Sequence, residues 1–238
     1  MEFIDRWANS EGVKVHYLES EDYDNQLTPL VYVPGALNYA EQSVELMQEF
    51  KQRKTISMSL RGRGKSDAPI TGYSFIDHVK DIDAVILHSK VKEYCLMAYS
   101  MGVPYCIKHA SKSPYLKGII ICDYPAKYPS IPESWTERVH SRSYMKKEMN
   151  HVVEGIQKAS TNIELYNDLK LIGVPVLIIK GGTEDSLLSD IETEKYKINL
   201  QDVFVVELRE SGHELWEPNR EGFFHIIKDF LYKLDSSC

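Results

Sequence analysis

The amino-acid sequence predicts an α/β fold with a mostly parallel, doubly wound sheet of about eight strands and helices on both faces. Short runs rich in β-branched residues alternate along the chain with longer segments of helical period. Most of these runs are apolar throughout, as in strands buried on both faces. The alternation is typical of parallel strands joined by crossover helices. A chain of 238 residues with 43% hydrophobic residues is large enough for one such domain.

The strands and helices can be placed from these patterns. Residues 13–18 alternate apolar and polar side chains and predict a half-exposed antiparallel strand. Buried strands are expected at 30–33, 56–60, 94–98, 119–122, 176–179 and 203–208. Helices are expected at 41–50, 75–88, 103–110, 187–198 and 222–234.

Residues 124–170 interrupt this alternation because they contain no strand-like run. Residues 130–133 have the form of a capping box with Pro132 at the first helical position. Apolar residues then recur at helical spacing at Trp135, Val139, Met145, Met149, Val152 and Ile156. A second short helix is expected at 161–164. We therefore expect one domain over 1–238, on which residues 124–170 pack as a helical lid.

Composition excludes several classes of protein. The formal net charge of −7 argues against nucleic-acid binding, which needs basic residues to neutralise phosphates. No apolar run is long enough to cross a membrane, and the start of the chain lacks the features of a signal peptide. The four cysteines, Cys95, Cys106, Cys122 and Cys238, form no C-x-x-C pair, which indicates reduced thiols in a cytoplasmic protein.

The pentapeptide at 98–102, Ala-Tyr-Ser-Met-Gly, is the sharpest chemical signal. It lies directly between a predicted buried strand and a predicted helix. A turn tight enough to expose the hydroxyl of Ser100 requires small residues two positions before and after it, and Ala98 and Gly102 meet that requirement. The backbone N–H of Met101 would then face a negative charge forming on a bound carbonyl. The alternative is an ordinary serine at a helix N-terminus.

A serine hydroxyl needs a neighbouring base before it becomes a good nucleophile. The chain has eight histidines, of which six fall in predicted helices and one in an early strand. His213 instead follows Gly212 in a loop after a strand. Loops at strand ends lie where ligands bind in open α/β folds, so His213 is the predicted base.

These motifs resemble those of the α/β-hydrolase superfamily over nearly the whole chain. Residues 33–36 are similar to its oxyanion loop, 60–66 to its Arg-Gly loop, 175–185 to the strand and loop that present the acid, and 211–213 to its histidine loop. The order Ser, Asp, His is the one this fold uses. Pro34 and Val103 depart from the usual pattern and alter the walls of the oxyanion pocket, so substrate preference does not follow from the resemblance.

The resemblance implies that Asp185 orients His213 and that Ala36 supplies a second oxyanion N–H beside that of Met101. Two other acids remain possible: Glu184 is adjacent in the same loop, and Asp123 follows the preceding parallel strand.

The expected activity is a carboxylesterase-like serine hydrolase that cleaves an ester, thioester, lactone or similar acyl bond of a small molecule. No cofactor or metal is expected, and both monomer and homodimer are open. Tyr99, Tyr124, Tyr128 and Trp135 are candidates for lining the pocket, and a basic stretch over 138–151 is a candidate for meeting an anionic substrate. The alternatives are a ligand-binding receptor that keeps a slow triad, and a C–C bond hydrolase or lyase using the same residues.

Overall fold

The computed structural model describes residues 2–141 and 149–236, which contain a sheet of eight strands. The strands within these two ranges are β1 (Phe3–Ser10), β2 (Val13–Ser20), β3 (Leu30–Val33), β4 (Thr55–Met58), β5 (Tyr94–Tyr99), β6 (Leu116–Cys122), β7 (Lys127–Tyr128), β8 (Ile163–Glu164), β9 (Val176–Gly181) and β10 (Val203–Leu208). The sheet order is β1-β2-β4-β3-β5-β6-β9-β10. In this order, the β1–β2 and β2–β4 pairs are antiparallel, and every pair from β4–β3 to β9–β10 is parallel.

Helices cover both faces of this sheet. The helices of the described residues are α1 (Val44–Glu49), preceded by a 3-10 turn at Ala40–Ser43, α2 (Phe75–Ser89), α3 (Gly102–Ala110), α4 (Glu133–His140), α5 (Asn150–Ala159), α6 (Tyr166–Leu169), α7 (Asp190–Asn199) and α8 (Arg220–Ser236). Of these, α4, α5 and α6 belong to the inserted segment. Side chains of β5 alternate between two separate cores. Leu96 and Ala98 face α2 and α3, whereas Met97 and Tyr99 face α8. The sequence-predicted doubly wound α/β architecture is confirmed.

Two parts of the chain differ from the predicted elements. Residues 3–10 form an additional edge strand, which pairs with β2 across a turn at Glu11 and Gly12, both with positive φ. Residues 163–164 form strand β8 instead of a short helix, and β8 pairs with β7 in a separate two-stranded sheet. Two-residue strands are too short to show a period, which is why the pattern missed them.

The start of the inserted segment also differs from the prediction. Helix α4 begins after Pro132, which is its N-cap residue instead of its first helical residue. No side chain caps this helix, and the N–H of Ser130 donates to Asn162 Oδ1 at 2.7 Å. The predicted capping box is therefore wrong. Met145 and the middle of the basic stretch, including Arg142, Lys146 and Lys147, lie outside the described residues.

A helix that crosses a membrane must be both long and apolar. Within 2–141 and 149–236, no helix combines the length and apolar character that a transmembrane span requires.

Candidate active site

Strand β5 and helix α3 meet at a sharp turn that presents Ser100. The residue has φ of +53°, which a non-glycine residue seldom adopts, and its N–H donates to the carbonyl of Cys122 on the adjacent strand. A Cβ on Gly102 would lie only 2.6 Å from the carbonyl oxygen of Pro34. Helix α3 therefore packs directly on the backbone that follows β3, as the requirement for a small residue predicted.

The structure brings Ser100 and His213 together. The Ser100 Oγ lies 2.9 Å from His213 Nε2, so the hydroxyl can donate to the imidazole. The ring of Tyr99 stacks on the imidazole with centroids 4.8 Å apart, which limits rotation of the ring. His213 keeps 24% of its side chain exposed, so a substrate can reach it.

Asp123, and not Asp185, is the hydrogen-bond partner of the histidine. His213 Nδ1 donates to Asp123 Oδ2 at 2.9 Å, and Asp123 is fully buried at the end of β6. Asp185 has an exposed side chain beside Gly212. Glu184 is exposed as well. The sequence placed Asp185 beside His213, and the structure corrects this: the carboxylate beside His213 is that of Asp123, at the end of β6.

The loop after β9 nevertheless contributes to this arrangement. Ser186 Oγ donates to Asp123 Oδ1 at 2.6 Å, and the N–H of Leu187 donates to Oδ2 at 2.9 Å. Burial by itself would raise the pKa of Asp123, but these hydrogen bonds and the one from His213 outweigh it and lower the pKa below its ordinary value. The carboxyl group is therefore ionised at neutral pH.

A buried arginine holds the loop of Ala36 behind the site. Arg63 Nε donates to the Ala36 carbonyl at 2.9 Å, and Nη1 donates to the carbonyl of Arg61 and to His78 Nε2. Burial lowers the pKa of Arg63, and all three acceptors are neutral. Arg63 thus fixes the Ala36 loop and places a positive charge next to it. The sequence pattern did not indicate this contact between Arg63 and Ala36.

A cleft of about 510 Å³ opens over the serine. Ala36, Trp135 and Tyr99 line it together with Ser100 and His213. Two other candidates have different surroundings. The hydroxyl of Tyr124 donates to Met101 Sδ at 3.7 Å, and Tyr128 is buried among core aromatic rings.

Trp216 is a residue near the site that the sequence analysis did not single out. Its ring lies 5.3 Å from that of Tyr99 and 6.3 Å from that of Phe223. Trp216 follows His213 by three positions in the sequence. This nearness to the predicted base is the feature of the sequence that could have indicated a place near the site.

Comparison with known proteins agrees with this architecture. Residues 28–123 match the family model described as alpha/beta hydrolase fold. An esterase from Exiguobacterium antarcticum is similar in structure, with a TM-score of 0.79 at 19% identity, covering 96% of this chain and all of that one. Proline iminopeptidase of Mycobacterium smegmatis has a TM-score of 0.74 at 15% identity, with 98% and 99% of the two chains covered.

A haloalkane dehalogenase loop variant from Bradyrhizobium elkanii is similar as well, with a TM-score of 0.76 at 16% identity, covering all of this chain and 99% of the other. These relatives share the fold and differ in chemistry. The function has to be argued from the site itself.

Proposed function

We propose that this protein, which has the α/β-hydrolase fold, is a carboxylesterase-like serine hydrolase acting on an acyl bond of a small molecule. The proposal rests on one observation. Ser100 Oγ, His213 and Asp123 form a continuous chain with both hydrogen bonds at 2.9 Å. This is the geometry in which a hydroxyl, a base and an orienting carboxylate act as a unit.

In the proposed reaction, Ser100 Oγ attacks the carbonyl carbon of an ester, thioester or lactone while His213 Nε2 takes its proton. Asp123 keeps the proton on Nδ1 and stabilises the imidazolium as it forms. The N–H groups of Met101 and Ala36 would receive the developing oxyanion. The imidazolium returns the proton to the leaving group, and water then hydrolyses the acyl-enzyme by the same route.

The described parts of the inserted segment, residues 124–141 and 149–170, act as a lid in this proposal. Trp135, Arg138 and Val139 of helix α4 line the cleft over Ser100, which supports that role. A cytoplasmic location stays part of the proposal, supported by the free and buried thiols of three cysteines, Cys95, Cys106 and Cys122.

The test is covalent labelling of the intact protein by a small fluorophosphonate, read by mass spectrometry, with hydrolysis of 4-nitrophenyl acetate measured in parallel. We expect one label per chain in the wild type, none on the Ser100→Ala variant, and turnover only in the wild type. Labelling without turnover would favour the ligand-binding alternative. Absence of labelling at Ser100 would refute the activated nucleophile.

A further inference from the structure

A second cavity of about 220 Å³ lies beside the catalytic cleft. Its deep walls are aromatic side chains from the α8 side of the sheet, all at most 9% exposed except Trp216, which is partly buried. These side chains are Tyr32, Tyr99, Trp216, Phe223 and Phe224. We call this space the aromatic cavity.

The aromatic cavity and the catalytic cleft share three lining residues, Asn38, Gln42 and Tyr99. Tyr99 contacts both sides, since its ring stacks on His213 and is tilted against Trp216 at 5.3 Å. The two spaces are therefore neighbours across a common wall. This shared lining is the observation from which we argue that a substrate with its carbonyl at Ser100 extends a substituent into the aromatic cavity.

Resting on the proposed function, we propose that the aromatic cavity is a substrate subsite that takes one uncharged aromatic ring. An apolar cavity of about 150 Å³ is known to hold benzene, so 220 Å³ is sufficient for a ring with a short linker. The ring of Phe223 is edge-on to that of Trp216, with centroids 6.3 Å apart, and tilted to that of Phe224, with centroids 5.3 Å apart. Aromatic rings prefer such tilted and edge-to-face neighbours.

The polar groups at the rim explain why the ring should carry no charge. Arg220 Nη1 pairs with Glu45 Oε2 at 3.0 Å, and Asn38 Nδ2 donates to Gln42 Oε1 at 2.9 Å. The Arg220 guanidinium also lies over the ring of Phe224 at 5.3 Å. These groups satisfy one another, so a charged substituent would have to displace an existing partner.

Binding can be measured without catalysis by labelling the Ser100→Ala protein with 5-fluorotryptophan and titrating it with benzyl alcohol. The chain has three tryptophans, each in a different place: Trp216 in the aromatic cavity, Trp135 at the catalytic cleft and Trp7 on the edge strand β1. We expect the fluorine resonance of Trp216 to shift saturably while that of Trp7 stays fixed. Cyclohexylmethanol, which lacks the aromatic faces, should bind roughly two- to tenfold more weakly.

A matched pair of variants locates the effect. Leu46 lines the aromatic cavity, so Leu46→Phe should fill part of it and weaken benzyl alcohol binding at least about fivefold. Leu87 is 81% exposed on α2, and Leu87→Phe should leave binding unchanged. An unmoved Trp216 resonance, equal binding of the two alcohols, or equal effects of the two variants would overturn the subsite.

A kinetic comparison connects the aromatic cavity to the reaction. The wild type should hydrolyse benzyl acetate with a higher kcat/KM than cyclohexylmethyl acetate, and Leu46→Phe should remove that preference. Ring binding without this preference would overturn the role as a substrate subsite. Failure of the proposed function is separate, because it would appear as absent labelling at Ser100 while the titration of the Ser100→Ala protein is unaffected.

Discussion

Asp123 accepts four hydrogen bonds although its carboxyl group is wholly buried. The donors are the N–H groups of Gly181 and Leu187, the hydroxyl of Ser186 and Nδ1 of His213. Such saturation compensates the desolvation of a buried charge and keeps the carboxylate in one orientation. The histidine therefore faces a fixed negative charge, which is what stabilising an imidazolium requires.

Asp123→Asn tests this charge directly. The amide preserves the shape of the side chain but not its charge, and the expected loss in kcat for 4-nitrophenyl acetate is about 10³- to 10⁴-fold. Asp185→Asn is the matched control, and its exposed side chain predicts a change within about twofold. Circular dichroism checks that both variants fold. A large loss in Asp185→Asn with little change in Asp123→Asn would return the acid role to Asp185.

The choice between these acids could not be made from the sequence, because it depends on strand order. Asp123 follows β6, which lies directly beside the β5 strand that carries Ser100, whereas Asp185 follows β9, one strand further away. Both follow parallel strands and point to the same edge of the sheet. The local pattern identifies each as a strand-end acid, and only pairing between distant segments sets their distances from His213.

At the scale of elements, the turn between β5 and α3 was predictable and the edge of the sheet was not. The turn has strong local requirements, namely an apolar strand, small residues around Ser100 and a helix start. Strand β1 has a mostly exposed and irregular pattern, and its place is set by pairing with β2. Long-range backbone pairing leaves little trace in the local sequence.

Gly102→Ala tests the close contact between α3 and the backbone after β3. The added Cβ would lie 2.6 Å from the Pro34 carbonyl oxygen and 2.7 Å from that of Val33, and backbone atoms cannot simply rotate away. Overpacking should outweigh the better helix propensity of alanine and lower the free energy of unfolding by about 2 kcal/mol, measured by urea denaturation.

Gly173→Ala is the control for this prediction, because its Cβ would have no neighbour within 4 Å. That change should alter the free energy of unfolding by no more than about 0.5 kcal/mol. The turn would also be displaced in Gly102→Ala, so fluorophosphonate labelling of Ser100 should slow. Equal stability of the two variants would mean that α3 can shift without cost.

At the scale of the whole molecule, a buried polar cluster connects the Ala36 loop with α2 and links stability to pH. His78 is fully buried, donates from Nδ1 to the Ser74 carbonyl and accepts from Arg63 at Nε2. Burial, and then the charge of Arg63, lower the pKa of His78 well below its ordinary 6.5. The unfolded chain therefore binds a proton at a pH where the folded protein does not, and acid favours unfolding.

The contribution of His78 should be fully present above pH 6.5 and should decline as the pH falls from there toward the lower pKa of the folded state. One such group gives a slope of up to about 1.4 kcal/mol per pH unit. Asp123 acts only at more acidic pH, since its lowered pKa lies below the ordinary 3.8 of an aspartate. In urea denaturation of the wild type, the free energy of unfolding should therefore decrease as the pH is lowered from 7.5 to 5.

The His78→Gln variant separates this histidine from the others, because an amide can still accept from Arg63 and donate to Ser74 but does not titrate in this range. Below pH 6.5, the slope of its free energy of unfolding against pH should be smaller than that of the wild type by up to about 1.4 kcal/mol per pH unit. His225→Gln is the control, since His225 is 75% exposed on α8, and it should keep the slope of the wild type. If both variants kept that slope, protonation of His78 would not limit stability, and the buried cluster would have to accommodate a second positive charge beside Arg63.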